Sequence, residues 1–405
     1  MARREMQGDD WVIRIEQYHD WWFDNAVEFL GHLLERLGVD VVWDGGISFE
    51  PLDEDEVERL VEEIERLIEV KLKYPKESDE TGVIEKKWRV YLPLTASNKR
   101  GDYKYKYLSG FLGKEPKLKK DIITLLLSDQ LNGQKKKKIC EICSKSTVLG
   151  LIDVTQGVYP VSNNNLESLN GVRSMKTSFK SCLLCNFLGY IEWLDRGIPF
   201  TWYMDKRGNS KTDYAYYLFP KIENIQDMHQ FKKRLRDDIL NEKKYSNVVP
   251  ISNIKKERYL TDEYSLLLLL FEKMNENIKN LEKWDDLVCD EWAKLLIKKG
   301  ELRYSYLEEI HIPQIERFKK IFEELLPYSD FVSHSFASPL KEGASKEIIQ
   351  RLTKEDQYLM SKGIIMDDFK TFSKAFQIRQ NCRLSTPKDA LDYLIYTWRC
   401  KDGTI

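Results

Sequence analysis

The sequence predicts an α+β fold, in which an N-terminal mixed α/β part carries an insertion pinned by two cysteine pairs and gives way to a C-terminal helical bundle. Three observations predict it. Four of the seven cysteines stand as two C-x-x-C pairs, Cys140-Glu141-Ile142-Cys143 and Cys182-Leu183-Leu184-Cys185. Amphipathic helices mix with short strands as far as Pro220, and beyond it helical patterning takes over. The boundaries read as 1–98 for an α/β part with acidic helices, 99–220 for a basic part with the cysteine pairs and a β-hairpin, and 221–405 for the bundle.

The first element is an amphipathic helix from Trp21 to Leu37. Its apolar positions Trp22, Ala26, Phe29, Leu30, Leu33 and Leu34 recur at three- and four-residue steps, and Gly38 ends it. A short apolar strand from Val39 to Trp43 and a turn at Asp44-Gly45-Gly46 follow. A second helix, Asp53 to Leu72, sets Val57, Leu60, Val61, Ile64, Leu67 and Ile68 on one face and mostly Glu and Arg on the other. That is the pattern of a solvated helix packed on the first.

A strand from Trp88 to Leu94 precedes a change of character. The run Lys99-Arg100-Gly101-Asp102-Tyr103-Lys104-Tyr105-Lys106-Tyr107 alternates cations with aromatics, so a strand there puts tyrosines on one side and lysines on the other. Such a layout pairs phosphates with cations and stacks bases on rings; an ordinary half-buried strand with a solvated lysine face has the same pattern. With Lys114, Lys117, Lys119, Lys120 and the run Lys135, Lys136, Lys137 and Lys138, residues 99–138 hold 12 basic against 4 acidic side chains, the densest cationic stretch of the chain. It runs directly into Cys140.

Two residues between paired cysteines let both sulfurs of a tight turn reach one ion at about 2.3 Å, and two such turns supply a closed tetrathiolate cage for structural zinc. The 38 residues between Cys143 and Cys182 exceed a minimal ribbon, so the metal would pin a sizeable insertion. Cys289, Cys382 and Cys400 stand singly and read as small core residues. Between the pairs, Gly157 to Asn165 and Gly171 to Lys180 are loop-rich, with Asn, Ser and Thr groups that suit turn chemistry or contacts to base edges. After Cys185 come a short apolar helix with Trp193, a strand from Phe200 to Met204, a turn at Asp205-Lys206-Arg207-Gly208-Asn209-Ser210 and an aromatic strand from Tyr214 to Phe219, a β-hairpin with a basic tip.

In the last part, Thr261-Asp262-Glu263 caps a fully buried helix carrying Leu266 to Leu270 and Phe271. Further helices are expected at Trp284 to Lys299, Gln314 to Leu325, Ser345 to Leu352, Lys354 to Gly363, Asp367 to Asn381 and Pro387 to Trp398, a bundle around the leucine run.

Composition sets the class. With 405 residues, 42% of them hydrophobic, the chain can bury one large or several ordinary cores. No apolar run reaches the roughly 18 residues of a membrane span and the start lacks a signal-peptide core, which with cysteines suited to metal points to a reducing cytoplasm. The net charge of −2 hides −14 over residues 1–80 and +12 over the remainder, so the basic part suits nucleic acid and the acidic part suits protein or solvent. A charged fraction of 32%, rich in Glu and Lys, fits a thermophile. There is no P-loop, dinucleotide fingerprint or HExxH pair, and His19, His32, His229, His311 and His334 stand apart from one another in sequence. The constellation reads as a binder rather than an enzyme.

Three features together resemble a known family: the Trp22-Phe23-Asp24-Asn25-Ala26 helix opening followed by Phe29-Leu30, the first C-x-x-C preceding Thr155-Gln156-Gly157-Val158-Tyr159-Pro160, and the second leading into Phe187-Leu188-Gly189. Over roughly residues 20–220 the chain resembles the zinc-containing large subunit of a type I (I-A or Cst-like) CRISPR-associated Cascade complex. The resemblance implies a non-catalytic subunit of an antiviral ribonucleoprotein complex, which contacts the CRISPR RNA 5′ end and neighbouring backbone subunits, recognises the PAM in double-stranded target DNA, and helps recruit the helicase–nuclease. Relatives tend to carry small residues such as Gly where this chain has Val27 and Glu28, and they are frequently longer, which implies a separate small helical subunit. The resemblance carries the four cysteines over as the metal site. Base pairing does most of the sequence reading in such complexes, so the protein needs charge, shape and a few contacts. Lys99, Arg100, Lys104, Tyr105, Lys106, Lys135, Lys136, Lys137 and Lys138 are the candidates for backbone contacts, and Asn163, Asn164, Arg173, Lys176, Lys206, Arg207 and Asn209 for the inter-cysteine loop and hairpin tip. A stand-alone zinc-ribbon nucleic-acid-binding factor and a metal-stabilised protein scaffold are the alternatives.

Overall fold

The computed structural model describes residues 12–73, 95–97, 103–105, 120–128, 138–147, 150–155, 157–160, 180–195, 197–203, 214–239, 258–259, 262–278, 289–298, 306–311, 338–339 and 354–377. Helices and antiparallel sheets are both present, as an α+β fold requires. The chain divides into two units, one of residues 1–195, 222–230 and 299–306 and one of 196–221, 231–298 and 307–405.

In the first unit, β1 (Ile13–Glu16) pairs with β3 (Gly46–Phe49), and β3 with β2 (Val42–Trp43), so that Ile13 meets Phe49 and Ile15 meets Ile47 on a fully buried face. Between β1 and β2 runs α1 (Trp21–Arg36), which starts where Asp20 accepts the Trp22 and Phe23 backbone N–H groups, the N-cap role of a short acidic side chain. It ends at Gly38, whose φ of 83° is left-handed, as expected of a glycine after a helix. The second helix, α2 (Glu54–Lys73), opens on a reciprocal capping box: the Glu56 N–H donates to Asp53 at 2.8 Å and the Asp53 N–H to the Glu56 carboxylate at 2.9 Å. Of its expected stripe, Val57, Leu60, Val61, Ile64 and Leu67 are buried.

Downstream, β4 (Thr95–Ser97) pairs with β5 (Tyr103–Tyr105), followed by α3 (Lys120–Ser128), the hairpin of β6 (Lys138–Ile139) and β7 (Ser146–Thr147), and the pair β8 (Ile152–Asp153) with β9 (Lys180–Ser181). Then α4 (Leu183–Glu192) packs along α1. The strands β1 and β3 have no counterpart in the sequence reading, and neither does α3, whose KDIITLLLS lies inside the cationic stretch.

The second unit is built on a four-stranded antiparallel sheet in the order β10 (Phe200–Tyr203), β11 (Tyr214–Pro220), β13 (Glu291–Lys298) and β14 (Tyr306–His311), with β12 (Arg258–Tyr259) and β15 (Ser338–Pro339) forming a separate pair. The expected hairpin is β10–β11. The expected helix from Trp284 to Lys299 is wrong over β13, and 221–405 is accordingly not all helical. The reason is physical: β13 is a central strand, and Trp292, Ala293, Lys294 and Leu295 are all buried in succession. A strand covered on both faces loses its period of two and reads like a buried helix.

Against β10 and β11 packs α6 (Glu263–Ile278); α5 (Ile225–Arg234), before it in the chain, has residues 225–230 in the first unit and the rest in the second. The expected leucine run is its core: Leu266 to Leu270 and Phe271 are at most 1% exposed. Two further expected helices form as α7 (Lys354–Ile365) and α8 (Phe369–Gln377). Expected elements at 88–94, 314–325, 345–352 and 387–398 lie outside the described residues, as do Cys382 and Cys400; Cys289 is a buried thiol as expected.

Two buried polar groups fix α6. The Lys294 ammonium on β13 meets the Glu263 carboxylate at 2.7 Å, their side chains 8% and 3% exposed. Removing one member of such a pair strands the other charge, so Lys294→Met is expected to cost about 3–5 kcal/mol, and Lys294→Met with Glu263→Gln to recover most of it in denaturant titrations. Asp262, the α6 cap, accepts from the Ser265 N–H and hydroxyl and from the Ser361 hydroxyl. Burial outweighs these bonds and pushes its carboxyl from 3.8 up to about 6. The folded state therefore binds the extra proton, and this contribution is full below pH about 4 and lost as pH rises through about 6. Asp262→Asn keeps the cap and is expected to flatten that fall, checked by subtracting variant from wild-type unfolding free energies across the window.

Candidate metal centre

The first cysteine pair sits in the β6–β7 turn. The Cys140 N–H donates to the Lys145 carbonyl and the Ser144 N–H to the Cys140 carbonyl, both at 2.9 Å, and Ser144 takes a left-handed φ of 58° to close the turn. The second pair sits where β9 runs into α4: Cys182 is the N-cap and Cys185 lies in the first turn. Glu141 joins the two turns, donating its N–H to the Lys180 carbonyl at 2.9 Å while its carboxylate accepts the Lys180 N–H at 2.7 Å. The folding of each short turn thus places two sulfurs, and one backbone bond together with one bond to the Glu141 carboxylate places one turn on the other.

All four sulfurs come within 4.8 Å of one another. Four sulfurs at about 2.3 Å from one ion stand about 3.8 Å apart at tetrahedral angles. Cys140 to Cys185 measures 3.8 Å and Cys143 to Cys182 measures 3.9 Å, far beyond the roughly 2.05 Å of a disulfide. Cys140, Cys182 and Cys185 are buried and Cys143 is half-buried. The donor set, the spacing and the burial all fit, and these four residues could hold a metal such as zinc.

Thiols this close cannot ionise independently. Hydrogen bonds from Cys143, Cys182 and Cys185 pull the Cys140 thiol far below its ordinary range, while burial pushes Cys185 well above. Backbone N–H groups of Cys182 and Cys185 point at the Cys140 and Cys182 sulfurs at 3.2 and 3.5 Å, and the start of α4 adds its positive end. The Tyr18 hydroxyl lies 3.3 Å from the Cys185 sulfur, and burial raises its pKa well above its ordinary value.

Behind the sulfurs stands a tightly packed support made from segments distant in sequence. The Trp22 indole N–H donates to the Val158 carbonyl at 2.7 Å and the Trp193 indole N–H to the Gly157 carbonyl at 2.9 Å, with the two indoles 4.8 Å apart. The Tyr159 hydroxyl donates to Asp20 at 2.8 Å, and its ring meets Phe23 at 5.4 Å. Gly189 on α4 lies so close to this loop that a Cβ there would stand 2.1 Å from the Val158 carbonyl oxygen. Segments 22–26, 157–160 and 182–189, which carry the resemblance, are therefore neighbours in space.

Of the expected nucleic-acid residues, Lys104 and Tyr105 fall in β5, and Lys138 is exposed in β6, two residues before Cys140. Lys99, Arg100, Lys106, Lys135, Lys136, Lys137, Asn163, Asn164, Arg173, Lys176, Lys206, Arg207 and Asn209 lie outside the described residues. Sequence reasoning passed over Lys145, which pairs with Glu16 at 2.8 Å beside a pocket of about 200 Å³ lined by Tyr18, Cys143, Ser144 and Leu184. Its place just after a C-x-x-C pair was the available signal. The histidines also need correction: His32 and His229, far apart in sequence, have ring centroids 6.1 Å apart.

No helix among the described residues is long and apolar enough to cross a membrane. Cys140→Ser or Cys182→Ser is expected to release the metal and lower thermal stability together, since metal affinity at such centres is folding free energy. Elemental analysis and thermal unfolding of the purified variants check this; well-folded wild type without bound metal would contradict the assignment. Compared with known proteins, the chain matches no family model and no curated sequence, and the chemistry of the centre follows from its own geometry.

Proposed function

We propose that the chain is a non-catalytic, zinc-stapled large subunit of an RNA-guided Cascade complex, which binds double-stranded target DNA at the PAM and contacts the CRISPR RNA 5′ end, the backbone and small subunits, and the helicase–nuclease. The observation that carries this reading is the convergence of four sulfurs at the end of the chain's most cationic stretch, with Lys138 exposed two residues from the first of them. Four thiolates fill a tetrahedral ion, leaving no position for an attacking water, so the ion braces and does not cleave. The clustering of the three resembling segments around that brace supports the family placement.

In this reading zinc fixes the platform while lysines set affinity. Neutralising phosphates releases counterions, so affinity falls with salt in proportion to the number of phosphates neutralised. Lys104, Lys106 and Lys135 to Lys138 supply the charge, and a few polar side chains discriminate at the short motif.

Purification of the tagged chain from its native source is expected to bring along a short RNA and partner subunits. Charge reversal at Lys104, Lys106, Lys135, Lys136, Lys137 and Lys138 together is expected to weaken target-DNA binding by the assembled complex at least about tenfold. The slope of log affinity against log salt should flatten by about 0.9 for each phosphate that is no longer neutralised. Unchanged affinity and slope remove the nucleic-acid role. Tight binding of duplex DNA by the chain alone favours a stand-alone factor instead.

A further inference from the structure

On α1, Glu28, His32 and Glu35 are four and three residues apart, which aligns them along one face of the helix. His229 on α5 reaches this stripe from 201 residues after Glu28 in sequence, both belonging to the first unit. Its Nδ1 lies 2.9 Å from the Glu28 carboxylate and its Nε2 lies 3.0 Å from the Glu35 carboxylate. The imidazole stacks on the Trp43 indole, with centroids 4.0 Å apart and planes 17° from parallel. Trp43 in turn donates its indole N–H to the other Glu35 oxygen at 2.8 Å. Gly31 makes room for that indole, since a Cβ there would stand 2.4 Å from the Trp43 ring. His229 and Glu35 are thus held in orientation from both sides.

We propose that His32, Glu35 and His229 form a second metal site, for a zinc-type divalent cation, with Glu28 orienting His229 without touching the ion. One donor atom from each of the three lies within 4.8 Å of the others, so small side-chain rotations bring all three to the roughly 2.0–2.2 Å of zinc–nitrogen and zinc–carboxylate bonds. Two imidazoles and one carboxylate select zinc-like ions over magnesium or calcium, which prefer all-oxygen shells. Glu28, fully buried, holds the Nδ1–H and leaves Nε2 to the metal, the carboxylate–histidine arrangement that fixes a ligand's tautomer. The ion would sit between Nε2 and the Glu35 carboxylate. Three protein donors leave a fourth position for water on the side of Glu35, which is 31% exposed. Such an ion ties α5 to α1 across a long stretch of chain. This inference stands whether or not the chain binds nucleic acid.

The full chain, stripped with a chelator and titrated with Co²⁺ followed by Zn²⁺, tests it. Wild type is expected to take up about two equivalents, one with the intense sulfur charge-transfer absorption of a tetrathiolate and one with only the weaker bands of nitrogen and oxygen ligands. His229→Gln should lose the second alone, and Cys140→Ser the sulfur band. Glu35→Gln, at the more exposed rim, gives the same readout should His229→Gln fail to fold: loss of the weaker bands and at least a tenfold weaker second uptake. Saturation of wild type at about one equivalent, or unaltered second uptake in these variants, overturns the proposal. Loss of DNA binding with both uptakes intact leaves it standing.

Discussion

The architecture of the first unit depends on four sulfurs being drawn to one point. Neither turn that supplies them has a hydrophobic core of its own. The first is a hairpin of two-residue strands, and the second is the junction of a two-residue strand with a helix. Pieces this short are marginal alone in water, because the entropy of fixing each residue, on the order of 1–2 kcal/mol, exceeds what a few ladder bonds return. An ion shared by the four sulfurs would change that balance, since its binding free energy would exist only when both turns are in place. It would also neutralise thiolates that repel one another at these distances. The Cys140 and Cys185 thiols shift in opposite directions, hydrogen bonds from the neighbouring thiols favouring charge on Cys140 and burial opposing it on Cys185.

From that point the order propagates through α4. With Cys182 as its cap and Cys185 in its first turn, the direction of α4 is fixed by the centre, and α4 lies along α1. The loop 157–160 fills the angle between them through two indole N–H bonds and the close approach at Gly189. These bonds satisfy buried carbonyls that would otherwise each cost about 1–3 kcal/mol. The same residues that look like a motif in sequence are therefore the packing code of one junction, which is a reason for such residue types to occur together whatever surface the junction presents to a partner.

How much of this was legible in the sequence follows from the length scale of each signal. Helices α1, α2 and α6 were readable because their signals lie within a few residues: the apolar stripes of α1 and α2, and Asp262 before the leucine run of α6. The cysteine centre was readable because its chemistry needs a fixed short spacing twice. Strands β1 and β3 were missed because only four residues each carry their pattern, and their pairing spans over thirty positions. Strand β13 was misread because burial on both faces erased its alternation. The His32–His229 approach was invisible for another reason: no local pattern requires it, and it arises only when α5 lands on α1.

Glu28 on α1 is an unusual side chain to bury, and this packing gives it a physical basis. Glu28 is fully buried, and a carboxylate in that position requires a partner or a proton. His229 meets it at 2.9 Å while Trp43 covers the ring's face. A glycine at this position would remove the acceptor for His229 and leave a void beneath the imidazole, so Glu28, Trp43 and His229 are best understood as one set rather than three independent residues. The first unit then joins its elements in two chemically different ways: soft sulfurs close turns too short to fold alone, and imidazoles with carboxylates bring α5, a late part of the chain, onto α1. The first arrangement buries three of its four sulfurs. The second keeps one carboxylate partly exposed, and that difference in access separates a brace from a contact open to exchange.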